Sequence, residues 1–207
     1  MNPSDNMNKI RLEYKAVFGK YQIPEALNKL IDFEEQYGSE TYCESFYLCT
    51  DLDKTPDRGQ YSLDEEYFER LIIFANADGT GAKYAFWVNN IEKSLEESPI
   101  IVIGSEGHIQ VVAKNIKELL QLLSFGPEGM DGSFYKDLDD FEEPENASEF
   151  REWMKSELNI QPIKDIDVED SEEVNDIINQ AVKEFGDPFR EWMMSLNPQY
   201  ASFDEYE

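Results

Sequence analysis

The side chains able to do chemistry are few in kind and abundant in one class. The chain carries 45 Asp and Glu residues, one histidine and two cysteines. A single histidine, His108, removes most metal sites and most acid–base triads at once, and its place between a turn and an apolar run reads as structural. The turn Asp78-Gly79-Thr80-Gly81 lacks the Lys-Ser/Thr pair that a phosphate loop needs, and no helix opens after it. Asp165-Ile166-Asp167-Val168-Glu169-Asp170 alternates acid with apolar residues, as ligands of a hard cation can. A calcium loop, however, requires Gly at its sixth place and Glu at its twelfth, where this chain has Asp170 and Asp176. Carboxylate pairs suited to glycosidic chemistry arise here by abundance alone, so none is informative. These residues argue against an enzyme and predict neither a metal nor a cofactor.

What so many carboxylates can do is electrostatic. Eighteen basic residues leave a net charge of −27, which repels nucleic acid and anionic membrane surfaces at long range and makes direct binding to either unexpected. The imbalance is concentrated, with 24 acidic against 6 basic side chains from Glu128 to Glu207. A basic protein is the complementary partner. Within that part, Asp139, Asp140, Glu142, Glu143 and Glu145 form the first candidate partner-binding cluster, and Asp165, Asp167, Glu169 and Asp170 the second.

The elements that must position these groups are legible from periodicity. From Leu71 to Ala113, short runs of β-branched and aromatic residues alternate with Asp78-Gly79-Thr80-Gly81 and Gly104-Ser105-Glu106-Gly107, which predicts strands joined by turns too short for a crossover helix. Leu71 to Ala75 and Ile100 to Ile103 are continuously apolar, so both faces of the sheet need covering. A first helix is expected over residues 5 to 21, capped by Ser4 or Asp5, with Ile10, Tyr14, Val17, Phe18 and Tyr21 on its inner face. A second opens at Pro24 and closes at Gly38, carrying Leu27, Leu30, Ile31 and Tyr37. Glu44 to Thr50 reads as a strand, residues 51 to 59 as a loop, and Ser62 to Glu65 as a capping box before a short helix. Asn115 and Glu118 repeat that box ahead of Leu119, Leu120, Leu122 and Leu123.

Beyond this the composition changes. Residues 126 to 146 combine turn formers with acid and read as a linker leaving the main layer. Ser148 can then cap a helix bearing Phe150, Trp153, Met154 and Leu158, which Pro162 ends. From Ser171, the residues Val174, Ile177, Ile178, Ala181, Val182 and Phe185 trace one helix face until Gly186-Asp187-Pro188 stops it. Phe150-Arg151-Glu152-Trp153-Met154 recurs as Phe189-Arg190-Glu191-Trp192-Met193, an offset of 39 residues. Two copies are too few for a solenoid, so the repeat reads as two helices turning a Phe, Trp and Met face toward a shared core or the sheet, the alternative being an exposed aromatic pair that anchors a partner.

The order of apolar strand, Asp-Gly-Thr-Gly, Tyr84-Ala85-Phe86-Trp87, apolar strand, Gly-Ser-Glu-Gly, Val111-Val112-Ala113 and a Leu-rich helix resembles the SUKH superfamily. Upstream, Ile23-Pro24-Glu25-Ala26-Leu27 through Phe33-Glu34 to Tyr37-Gly38 resembles that family's opening helix. The resemblance spans residues 7 to 125 and carries patterns of fold, not of chemistry. It implies a binding protein, either an immunity protein that occludes a cognate bacterial toxin, often a nuclease, or a scaffold like the family's fungal cell-wall regulator. The expected architecture is α+β: an antiparallel meander flanked by N- and C-terminal helices, with a SUKH-like domain over 1–126 and an acidic, mainly helical extension over 127–207. Cys43 and Cys49 flank five residues of one expected strand, too far apart for a bridge, so both are expected as buried thiols. The start of the chain has no signal-peptide pattern, and a cytoplasmic location is expected.

Overall fold

Residues 3–44, 46–48, 62, 64–77, 81–104, 108–127, 134–139, 141–164 and 166–198 are described by the structure, a computed structural model. The apolar runs become one antiparallel sheet. Tyr47–Leu48 (β1), Leu71–Asn76 (β2), Lys83–Trp87 (β3), Ile100–Ile103 (β4) and Ile109–Ala113 (β5) lie side by side in chain order, as a meander requires. Every residue of β2 and β4 is buried, the consequence of continuous rather than alternating apolar runs.

Register assigns the two faces. Ile72, Phe86 and Ile100 are cross-strand partners and share one face, as do Tyr84 and Val102. Phe18, at the end of helix α1 (Pro3–Phe18), meets Phe86 edge-on at 6.0 Å, and Phe74 lies 4.5 Å from Phe86. The Tyr14 hydroxyl donates to the Phe74 carbonyl, pinning α1 to β2. Helix α2 (Glu25–Tyr37) packs on α1. Its Pro24 occupies the N-cap, and Gly38 closes it at φ 95°, an extended positive-φ conformation open to glycine, with its N–H donating to the Glu34 carbonyl.

The opposite face carries Leu71, Ile73, Ala85, Trp87, Ile101 and Val111. The expected short helix is α3 (Glu65–Arg70), and α4 (Ile116–Leu123) follows β5. At the head of α4, Asn115 caps the helix as predicted, accepting from the Lys117 and Glu118 amides, but Glu118 reaches back to the Lys114 N–H at 2.9 Å, one residue before the cap, so the reciprocal bond of the expected capping box is displaced by one residue. Helix α5 (Ala147–Trp153) runs on as a π-helical turn, Met154–Leu158. Helix α6 (Glu172–Leu196) lies along β5 and covers this second face.

Several expectations are corrected. Helix α1 begins at Pro3, which places Ser4 and Asp5 inside it and leaves Tyr21 beyond its end. The cap of α3 is Asp64, whose carboxylate accepts from Glu66 N–H; Ser62 instead accepts from the Asp64 amide. Asn146, not Ser148, precedes α5, and the helix closes at Asn159, at φ 54°, before Pro162 is reached.

The largest correction is at Pro188. The helix continues through Gly186-Asp187-Pro188 for a total of 25 residues. A proline inside a helix costs up to about 3 kcal/mol relative to alanine. Continuation places Phe189 at 5.1 Å and Trp192 at 5.6 Å from the Trp87 ring, and that buried aromatic contact outweighs the lost backbone bond. Val182 is 43% exposed, so it lies off the buried stripe marked by Val174, Ala181, Phe189 and Met193. Of the strand expected over 44–50, Tyr47–Leu48 forms; residues 49–61, Cys49 among them, lie outside the described residues, as do 78–80 and 105–107 of the two turns. Cys43 is buried.

Candidate interaction surface

Residues 134–139 and 141–146 are not a linker that leaves the main layer. Their organising residue is Lys136, only 3% exposed. Its ammonium donates to the Ile166 carbonyl at 2.6 Å and lies 4.3 Å from the Phe125 ring centre and 4.4 Å from that of Phe141. A buried cation is costly unless its donors and charge are met, and here a carbonyl and two ring faces meet them. The Lys136 amide also donates to the Glu169 carbonyl at 3.0 Å. The segment's far end is fastened too, since Asn146 N–H donates to the Thr41 carbonyl at 2.8 Å.

This pinning joins the two acidic stretches. Phe141 lies between the first cluster's members and Ile166 between the second's, yet one ammonium touches both residues. Asp139, Glu142, Glu143 and Glu145 are exposed, as are Asp167, Glu169 and Asp170; Asp140 and Asp165 lie outside the described residues. Glu143 differs from its neighbours because Arg151 binds it while also donating to the Ser124 carbonyl at 3.4 Å. Tyr135 and Leu138, at 49% and 42% exposed, put apolar surface within the same acidic segment.

The two copies of the repeated pentapeptide occupy different places. Phe150 packs 4.6 Å from Tyr42 and 5.6 Å from Phe33, so the first copy sits against α2. The second sits on the sheet through Phe189 and Trp192. Trp192 is shielded there: its indole donates to Glu66 at 3.0 Å, and the Arg70 guanidinium, paired with that same carboxylate at 2.8 Å, lies 5.1 Å from its ring centre. These two contacts hold the Glu66 carboxyl below the usual carboxylate range, with Arg70 the larger cause. Trp153 is only half-buried and has no Arg over it among the described residues.

One carboxyl is buried. Glu34, 2% exposed, accepts from the Tyr42 hydroxyl at 2.7 Å. Desolvation pushes its pKa up to about 7 despite that hydrogen bond. His108 is exposed, and no group of His, Cys, Asp and Glu among the described residues could hold a metal ion. No helix among them is long and apolar enough to cross a membrane.

Sequence reasoning missed Lys136 and a cleft of about 380 Å³ between the end of α2 and the outer side of α5. Its walls include Tyr37 and Trp153, and Glu149, Glu152 and Glu157 line it. The signal was present: positions 149, 152, 153, 156 and 157 have the spacing of one helix face. No family model, curated protein or solved structure matches the chain.

Proposed function

We propose that the protein is a non-catalytic binding protein that recognises a basic protein domain and occludes it with an acidic surface, as an immunity protein does with its toxin. The observation that carries this reading is the pinning of both acidic stretches around Lys136, which concentrates exposed carboxylates beside Tyr135 and Leu138 in a chain of net charge −27. Such a field speeds encounter with a cationic partner, and a segment fastened at both ends loses little conformational freedom on binding. The resemblance to the SUKH superfamily supports the same reading.

The test begins with capture of the partner from the native cell at low salt, followed by stopped-flow association. Raising salt to physiological strength should slow association steeply and change dissociation much less. Reversing Asp139, Glu142 and Glu145 to Lys should cut the association rate by about an order of magnitude. Glu143 is left intact because its pairing with Arg151 is structural. Association that ignores both salt and the reversal would overturn the proposal.

A further inference from the structure

The two Trp residues of the repeat differ in what lies over them. Over Trp192 the protein places the Arg70 guanidinium, held by the Glu66 carboxylate, so one copy displays the complete set of ring, guanidinium and carboxylate. Over Trp153 the ring and the carboxylates are present without the guanidinium. Phe150 stacks on Trp153 at 5.6 Å with a 21° interplanar angle, and Phe33 stacks on Tyr37 at 4.6 Å, so both walls of the cleft are buttressed from behind. Neither Glu149 nor Glu157 has an ion-pair partner among the described residues, whereas Glu152 holds Lys155 at 2.7 Å. The Ser148 hydroxyl donates to Glu149 at 2.8 Å and holds its carboxyl pKa below its ordinary value. Past Trp153 the helix continues as the π-helical turn Met154–Leu158, and Glu157 within it lines the cleft.

We infer that the cleft between Tyr37 and Trp153 is a binding site for an arginine side chain of a partner protein, its guanidinium lying against the Trp153 ring and pairing with Glu149 and Glu157. A guanidinium fits better than an ammonium because it is planar, stacks on aromatic faces and bonds carboxylates in a fork. The inference rests on the proposed function only for the source of the arginine; the affinity of the cleft for a guanidinium is measurable by itself.

The chain has three Trp residues, so its indole N–H signals in a proton–nitrogen spectrum number three, with Trp153→Phe identifying the relevant one. Titration with acetyl-arginine amide should shift the Trp153 indole saturably and leave those of Trp87 and Trp192 in place. Acetyl-citrulline amide, the neutral isostere, should bind at least about fivefold more weakly, as should the arginine probe to the variant Glu149→Gln/Glu157→Gln. Equal shifts from arginine and citrulline, no shift at Trp153, equal affinity for acetyl-lysine amide, or an unaffected variant would each overturn the inference. A cleft that binds the probe in a protein whose partner association ignores salt and charge reversal would sink the proposed function alone. Steered association with a silent cleft would sink this inference alone.

Discussion

Phe150-Arg151-Glu152-Trp153-Met154 and Phe189-Arg190-Glu191-Trp192-Met193 are one pentapeptide in two surroundings. In both, Phe and Met are buried; the difference lies in the Trp and Arg. Trp192 lies against the sheet under Arg70, whereas Trp153 leans on Phe33 and Phe150 and leaves one side at a cleft. Arg151 bonds Glu143 and the Ser124 carbonyl, tying the acidic segment to α5, while Arg190 is exposed. A short sequence match thus specifies which side chains turn inward and leaves the outer side to be defined by the neighbours.

The sharpest way to break this comparison is to truncate each Trp. Trp192→Ala should cost about 3–5 kcal/mol in denaturant unfolding, the range for a buried aromatic. Trp153→Ala, half-buried, should cost about 1–2 kcal/mol. Equal losses would mean that the two copies are equivalent anchors.

A second measurement probes the side of the molecule that holds the first copy. Glu34 binds Tyr42, whose ring packs on Phe150. Its folded pKa is raised, so the folded state holds a proton that the unfolded chain releases first. The associated stability is complete below about pH 4.5 and is lost as pH rises to about 7. Over that window the wild type should lose about 3 kcal/mol relative to Glu34→Gln, seen as converging or diverging denaturant midpoints. Parallel pH profiles for the two proteins would show that Glu34 is not the group responsible.

Arg70→Met tests the cover of the second copy. Its guanidinium also donates to the Val88 and Asn89 carbonyls, at 2.7 and 3.1 Å, so removal should cost about 2 kcal/mol and raise the Glu66 pKa. Smallest is Pro188→Ala, which should stabilise α6 by about 1–2 kcal/mol, read as a rise in melting temperature. No gain would mean that the proline is already accommodated at little cost.

The meander was legible because turn chemistry and continuous apolar runs are local signals that agree with each other. Leu71 to Ala75 and Ile100 to Ile103 require cover on both faces whatever supplies it. Pro188 misled for the same reason: its stop signal is local, while the packing of Phe189 and Trp192 on Trp87 comes from about a hundred residues away in sequence. Lys136 was beyond reach because its partners Phe125, Phe141 and Ile166 come from three separate segments. Among acidic residues read as a loop, nothing in the sequence marks this one lysine as buried. The cleft was accessible in principle from the spacing of Glu149, Glu152 and Glu157, but only the position of Tyr37 makes that helix face concave.

The order in which the layers are synthesised has a consequence for the nascent chain. All five strands are complete at Ala113, yet α6, which covers the second face of their sheet, ends only at Leu196. At about 5–20 residues per second, a ribosome needs several seconds to make the intervening stretch. A sheet that assembled in that interval would present Leu71, Ile73, Trp87, Ile101 and Val111 as a bare apolar plane, a surface suited to chaperone capture or to association with another unfinished chain. Codon changes that slow translation between Ala113 and Glu172 should therefore lower the yield of folded protein more than equal delays placed upstream of Leu71.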